Sequence, residues 1–564
     1  MKLKISIISG ILAIGAFSSC NDSFMDRYPG TSISDENFWN SDEDLKLYCN
    51  NFYTSINGHG FDNAPSPLLI GDNQSDNMVP LDYNIIAAGE YVIPSEAGSG
   101  GWDWGFIRKC NYFLVNYNRV NAAQKIKDQY AGEVKYFKSV KYFEKVKRFG
   151  DIPWLNKVLD VTDVDVLYAK RDSRIMVMDS VLADIDFAIE HLPSKKDATL
   201  GRVNRDVALA LKARICLHEG TFRKYHNIEG SEKFLREAVN ASETLMKEGN
   251  YSIYNTGHPE SDYFNLFTIL DLNGNCETIF YKQYEKDLLM NSASNYVENN
   301  TSKISVDKSL VESYLCKDGL PISLSKLYLG DDSIQAEMQN RDPRLTQTVC
   351  YPGTMVQVSS KMPNIPGSNL GGGQVLTGYQ VVKYWNSEDN INKQGVLDCP
   401  IYRYAEVLLV YAEAKAELGE CTQGDIDKTI NLLRKRAGMP DMEISNLKKD
   451  PKSDFPEIPV LIDEIRRERR VELALESLRY DDLMRWKAGR LLTKPVRGMK
   501  FVQSQYPDVK VGKDIFVDAE GYIEPYAKAL PHGRTFQENK HYYFPIPTED
   551  LMLNTNLVQN PNWE

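Results

Sequence analysis

Residues 465–486 read IRRERRVELALESLRYDDLMRW. Apolar Ile465, Val471, Leu473 and Leu475 recur among alternating charges, and the pattern predicts helices over 459–476 and 478–488. Arg466, Glu468, Arg469 and Glu472 stand at i, i+3 and i+4 spacings, so they can pair along one helix face. Arg479, Asp481 and Asp482 follow at once. The expected role is structural: bidentate ion pairs that hold helices together and carry no chemistry. Glu464, Glu468 and Glu472 also interrupt the arginine run. With a formal net charge of -12, the chain offers no basic stripe to a nucleic acid.

Working outward, further helices are expected over 401–418 and 424–437. The amino-terminal half predicts 34–57 with Ser34 as N-cap, then 105–123, 128–148, 173–191, 205–220 and 231–248. In 205–220 the row Val207, Leu209, Leu211, Ala213, Ile215 and Leu217 leaves little polar face beyond Lys212 and Arg214, so this helix is expected to be buried on most sides. Residues 58–103 are rich in Gly, Pro, Asn and Asp, and end in the aromatic-bearing stretch Gly98 to Trp104. Segments of this kind inside a compact protein are usually functional or disordered. From 255 to 400 helical signal fades apart from one helix near 305–315, and 491–564 is again irregular. Paired helices of 15–20 residues suggest tetratricopeptide-like units, although the pairs are dispersed and not tandem. The expected organisation is one domain over 34–564: a helical part to about 250, an irregular insertion over about 251–400, and a helical part from about 401.

The chain has 564 residues, 42% apolar and 26% charged, and 32 of its residues are Tyr. That is ordinary globular composition with an ample supply of amphipathic rings. The opening MKLKISIISGILAIGAFSSC has a short positive start and an apolar run from Ile5 to Phe17, shorter than the ~20 residues that span a bilayer. Ser18 and Ser19 then precede Cys20. This layout is a secretory signal over 1–19 and resembles a bacterial lipobox, with Phe17 where a Leu is usual. Cys20 is therefore the expected lipidation site, and residues 20–33 the tether. The protein is expected to be anchored to a membrane and not threaded through it. Of nine cysteines, eight remain, without CxxC or tight clustering, so mostly free, buried thiols are expected.

Motifs for chemistry are missing: there is no HExxH, GxSxG, GxGxxG or GxxxxGK[ST]. The seven histidines are scattered. Asp271-Leu272-Asn273-Gly274-Asn275 has its Gly at the fourth position and no Glu at the twelfth, so it is no EF-hand, which leaves only a casual surface calcium open. No cofactor or metal ligand set, and no catalytic residue, is expected.

Several stretches resemble the SusD/RagB family. They include Cys20…Phe24-Met25-Asp26…Pro29, then Ile107-Arg108-Lys109-Cys110-Asn111-Tyr112-Phe113-Leu114, and EVKYFKSVKYFEKVKRFGDIPWL at 133–155. GRVNRDVALALKAR at 201–214, Asp342-Pro343-Arg344-Leu345, the 465–486 stretch and Pro545-Ile546-Pro547…Asn560-Pro561-Asn562-Trp563 follow in order. The resemblance implies a mainly α fold: a right-handed superhelix of tetratricopeptide-like helix pairs with a large loop-rich ligand-binding face. It implies a cell-surface, outer-membrane lipoprotein that binds glycan and delivers it to a SusC-like TonB-dependent transporter, and not an enzyme. Some members bind peptides, so peptides or glycopeptides are the alternative ligand.

In that family the ligand contacts come from the loop before the "I..CN" helix and from the irregular middle region. A sugar site needs flat rings and planar polar groups. The mixture occurs in 71–104, with Asp72, Asn73, Asp76, Asn77, Tyr83 and Trp102, and in 280–300, with Tyr284 and Tyr296. These eight are the candidate ligand contacts. Trp104, three residues before Ile107, is expected in the core. Trp102, in a Gly-rich turn, is expected to stand out from the surface.

Overall fold

The computed structural model describes residues 38–61, 71–298, 304–350 and 375–564. Cys20, the tether, Ser34 and residues 351–374 lie outside the described residues. The longer helices are α1 (Asp42–Tyr53), α2 (Gly105–Asn116), α3 (Gln124–Phe149), α4 (Arg174–His191), α5 (Arg205–Tyr225), α6 (Ser231–Glu248), α7 (Tyr404–Glu417), α8 (Ile430–Arg436), α9 (Val460–Glu472) and α10 (Arg479–Arg485). Each falls inside or close to a helix expected from sequence. The first begins later than expected, at a capping box in which the Ser41 backbone N–H donates to the Asp44 carboxylate at 2.8 Å. The expected 424–437 helix is split, with a short turn Gln423–Asp427 ahead of α8.

Neighbours in sequence pack as neighbours in space: α1 and α2 on α3, α3 on α4, α4 on α5, α5 on α6, α6 on α7 and α7 on α9. Asn204 caps α5, its side-chain oxygen accepting from the N–H groups of Asp206 and Val207 at 3.0 and 3.2 Å. This helix is buried along almost its whole length, as its apolar row requires. It also runs past the expected stop at Gly220. A Cβ there would lie 2.8 Å from Leu235, so the glycine lets α6 approach closely and does not end the helix. One hydrophobic core runs through α1–α7.

The irregular middle has a core of its own, built on Tyr263, Val306, Leu310, Tyr314, Tyr379 and Tyr384 and closed by Met499, Ile515 and Ile523. A small antiparallel sheet supports it, in the order β1 (Met78–Val79), β3 (Ser305–Val306), β5 (Gln380–Val381), β4 (Val349–Cys350). A second pair, β2 (Thr278–Lys282) with β6 (Cys399–Arg403), leads directly into α7.

The charged stretch at 465–486 binds elements together, as expected, but not along one helix. Pairs within one helix are few: Arg467 reaches Glu464 of α9 at 3.3 Å, and Arg485 reaches Asp482 of α10 at 2.8 Å. Glu472 gathers Arg344 at 2.8 Å, Arg403 at 2.7 Å and Arg436 at 2.5 Å from three other segments. Glu468 takes Arg344 and Arg434, and Arg469 takes Asp482 of α10. Burial pushes the Glu472 carboxyl up, but Arg436, Arg403 and Arg344 outweigh it and hold the group far below the usual carboxylate range. The i, i+3 and i+4 spacing therefore aims one helix's charges at several partners.

The seven cysteines whose side chains are described are free; Cys49, Cys110, Cys216, Cys316 and Cys399 are buried, Cys421 is half-buried and Cys276 is exposed. No helix among the described residues is long and apolar enough to cross a membrane.

Candidate ligand-binding groove

The loop before α2 is held by cations of α3. Lys145 donates to the carbonyls of Gly101, at 2.8 Å, and of Asp103. Arg148 donates to the Gly100 carbonyl at 2.6 Å and to the Tyr91 hydroxyl at 2.9 Å. From the other side, the acids of a carboxy-terminal helix, Glu549 and Asp550, accept from the N–H groups of Ala97 and Gly98. Burial lowers the Lys145 ammonium to about 8. Gly98, Gly100 and Gly101 have φ of 71°, 60° and 94°, a backbone that only glycine adopts freely.

That freedom turns Trp102 inward, which corrects the sequence expectation. Its ring is 3% exposed and stands edge-on to Phe149 at 4.8 Å and to Trp104 at 5.5 Å. Trp104 is the half-buried one of the two, with Lys145 4.6 Å from its ring. Trp104 packs against the main core as expected, though less deeply than Trp102.

Four other candidates are interior as well. Asp76 takes Arg479 at 2.7 and 2.9 Å and Arg470 at 3.3 Å. Burial raises its carboxyl, but the two guanidinium groups outweigh that and hold it well below the usual range. Asp72 accepts from the Leu475 N–H at 2.8 Å, and Asn77 accepts from Arg470 at 2.9 Å. Tyr284 is 6% exposed and donates to the His59 carbonyl at 2.8 Å. Residues 71–79 read as loop because they are polar. They are polar because they thread between charged helices, and each group must then be paired. The remaining three are half-buried: Asn73 accepts from Asn84, Tyr83 donates to Glu90 at 2.7 Å, and Tyr296 packs on the second core. The eight residues are not gathered around one cavity.

The groove that the structure does form runs along the outer side of α3. A shallow part of about 590 Å³ lies between the 100–103 loop and Phe106, Lys141, Glu144, Lys145 and Arg148. A deeper part of about 200 Å³ continues from it, and Ser55 and Glu144 line both. The floor of the deep part is aromatic and apolar: Tyr136, Phe137, Val140, Phe143, Phe280 and Tyr402. The rim is polar. Arg214 makes a bidentate pair with Glu406 at 2.7 and 2.6 Å, and Lys147 pairs with Asp481 across to the start of α10. Sequence reasoning found the 98–104 edge and missed α3, where Lys141, Glu144, Lys145 and Arg148 recur at i, i+3, i+4 and i+7. That stripe is visible in the sequence, but it looks like any solvated helix face. Among the described residues no group of three or more His, Cys, Asp or Glu side chains is placed to hold a metal.

Fold and groove define the class: a predominantly helical scaffold presenting an open groove with an aromatic floor and a polar rim, suited to holding a polar ligand that has flat apolar faces. The SusD family matches residues 240–563, and the chain belongs to that family. A SusD-like protein of Bacteroides ovatus is 24% identical over 587 residues, spanning 100% of this chain and 97% of that relative. Among solved structures, a SusD-like carbohydrate-binding protein from Bacteroides fragilis aligns with a TM-score of 0.73 at 23% identity, covering 92% of this chain and 100% of that one. Surface glycan-binding protein A from Bacteroides thetaiotaomicron aligns with a TM-score of 0.60 at 18% identity, over 93% and 99% of the two chains.

Proposed function

We propose that this protein is a cell-surface glycan-binding lipoprotein that captures an oligosaccharide or polysaccharide in the α3 groove and passes it to a TonB-dependent transporter in the outer membrane. The observation that carries this reading is the aromatic-floored, polar-rimmed groove on a SusD-family fold. It agrees with the carbohydrate and glycan binding for which the two solved neighbours are named. Phe106 is the half-buried ring at the shallow end, with Lys141 5.4 Å from its face, and gives a sugar ring a surface to stack on. The protein acts by binding and not by turnover, and Cys20 carries the lipid that fixes it to the outer face of the membrane.

A glycan array probed with the soluble chain tests the ligand class. Binding to one glycan class, weakened at least tenfold by Phe106→Ala, supports the reading. Binding confined to peptides transfers the groove to the alternative ligand. Chain shortening of the bound glycan that tracks the protein through purification refutes the non-catalytic role. Mild-detergent extraction at native expression should recover a transporter with this chain, and recovery of this chain alone refutes the partnership.

A further inference from the structure

A second polar cavity, of about 150 Å³, lies away from the groove, between a short helix Lys308–Ser313, the 450–455 loop and α9. In a chain whose net charge is -12, six cationic side chains and four carboxylates line it. The carboxylates are already engaged: Asp450 by Arg467 at 2.8 Å, Asp463 by Lys449 at 2.7 Å, Asp454 by Lys494, and Glu312 by Lys308 at 3.6 Å. On the cationic side, Arg470 and Arg479 share the single carboxylate of Asp76.

Arg466 is the least satisfied of the buried cations. It is 2% exposed, and its Nε has no hydrogen-bond partner among the described residues. Its ion pair, to Glu417, is long at 3.3 Å, and Glu417 also serves Lys224 at 2.7 Å and the Tyr225 hydroxyl. Trp486, 4.4 Å from the guanidinium centre, and Phe455 hold the group against the cavity wall. A buried guanidinium left with one long contact is costly unless something else answers it. A neighbouring cavity of about 240 Å³ shares Ser309, Glu312, Asp454 and Lys494 with the first. There Arg534, whose Nε is also without a partner, makes only long contacts to the carbonyls of Ser75 and Lys494, at 3.4 and 3.3 Å.

We propose that the cavity beneath Arg466 is a binding site for a small oxyanion: a sulfate, a phosphate or a carboxylate. The space equals about five water volumes, enough for such an ion with part of its hydration. Guanidinium groups match its oxygens in pairs, and the exposed Lys452 stands at the rim as a further cation. The site is independent of the groove and of its ligand.

Isothermal titration of the full soluble chain with sodium sulfate, sodium phosphate and sodium acetate, at matched ionic strength, separates the three sources. One of them should give saturable one-to-one heat. Lys452→Glu reverses the rim charge at an exposed position and should weaken that binding tenfold or more, with melting unchanged in chloride. Arg534→Gln, in the adjoining cavity, should weaken it less. Absence of saturable heat with all three anions overturns the proposal. So does saturable binding that Lys452→Glu leaves unchanged, because the ion then sits elsewhere.

Discussion

Glu472→Gln isolates what the buried charge lattice contributes. The carboxylate is fully buried and serves three guanidinium groups. Without its charge, Arg344 keeps Asp342 and Glu468, each at 2.7 Å, and Arg403 keeps Glu277 at 2.9 Å and Glu476 at 2.7 Å. Arg436 keeps only Glu277 at 3.6 Å, and its Nε and Nη1 have no hydrogen bond even in the intact protein. The substitution thus costs about one broken buried pair, and removing one partner of such a pair costs ~3–5 kcal/mol. Glutamine keeps one acceptor oxygen, which places the loss near the lower end, at about 3 kcal/mol. Urea unfolding at pH 7, followed through the midpoint with an unchanged slope, measures it. The control is Glu243→Gln, which removes an exposed pair with Lys247 at 3.0 Å and should cost no more than about 0.5 kcal/mol. A loss for Glu472→Gln below about 1 kcal/mol, or equal to the control, would refute the claim that the 465–486 charges hold the scaffold together.

Trp102→Ala should lower stability by about 3–5 kcal/mol, the cost of emptying an aromatic core position, whereas Phe106→Ala, at a half-buried ring edge-on to Phe52 at 5.3 Å, should cost less stability and lose glycan affinity. Thermal melting and titration of both variants decide this, and an unchanged melt for Trp102→Ala would restore that ring to the surface. Stability should also fall as pH drops from 7 to 5. Burial holds His59 at about 4, so the unfolded chain binds more protons between about 6.5 and 4, and the native state loses about 2 kcal/mol from this residue between pH 7 and 5. His226, also held near 4 by burial, adds a loss of the same sign, while Asp398, raised to about 6 by burial, opposes it. His59→Phe, which suits the space between the Tyr284 and Tyr384 rings, should flatten the profile, and an unchanged slope would refute the assignment. Mass spectrometry of the mature amino terminus should show an acylated Cys20; a free Asn21 or an uncleaved Met1 would end that proposal.

The helices were legible because their signals are local. Asn204 at the cap and the apolar row after it depend on no distant residue, and α5 follows. The placement of the 71–79 segment is set by partners about four hundred positions away, at Arg470, Leu475 and Arg479. Nothing local distinguishes an aspartate facing water from one facing two buried arginines, so Asp72, Asp76 and Asn77 read as ligand contacts. Trp102 failed for a related reason. Consecutive glycines show that the backbone can turn sharply, but not which way the next ring goes. Here Arg148 and Lys145 on α3 settled it by drawing the loop carbonyls toward the helix.

The same helix explains how one scaffold can carry different ligand faces. The inner side of α3 belongs to the main core through Val134, Tyr142 and Val146, and its outer side forms the groove. Along that outer side the residues do unequal work. Lys145 and Arg148 are committed to holding the 100–103 loop, and their loss would release the Trp102 turn along with them. Lys141 and Glu144 pair with each other at 2.9 Å, and the half-buried Lys141 also lies over the Phe106 ring. Exchanging that pair breaks no fully buried ion pair, so the electrostatic part of its worth to stability is bounded by that of a surface ion pair, at most about 1 kcal/mol. Yet Glu144 lines both parts of the groove. Ligand preference can therefore change at 141 and 144 at little cost to the fold, while the loop that borders the groove stays fixed by 145 and 148.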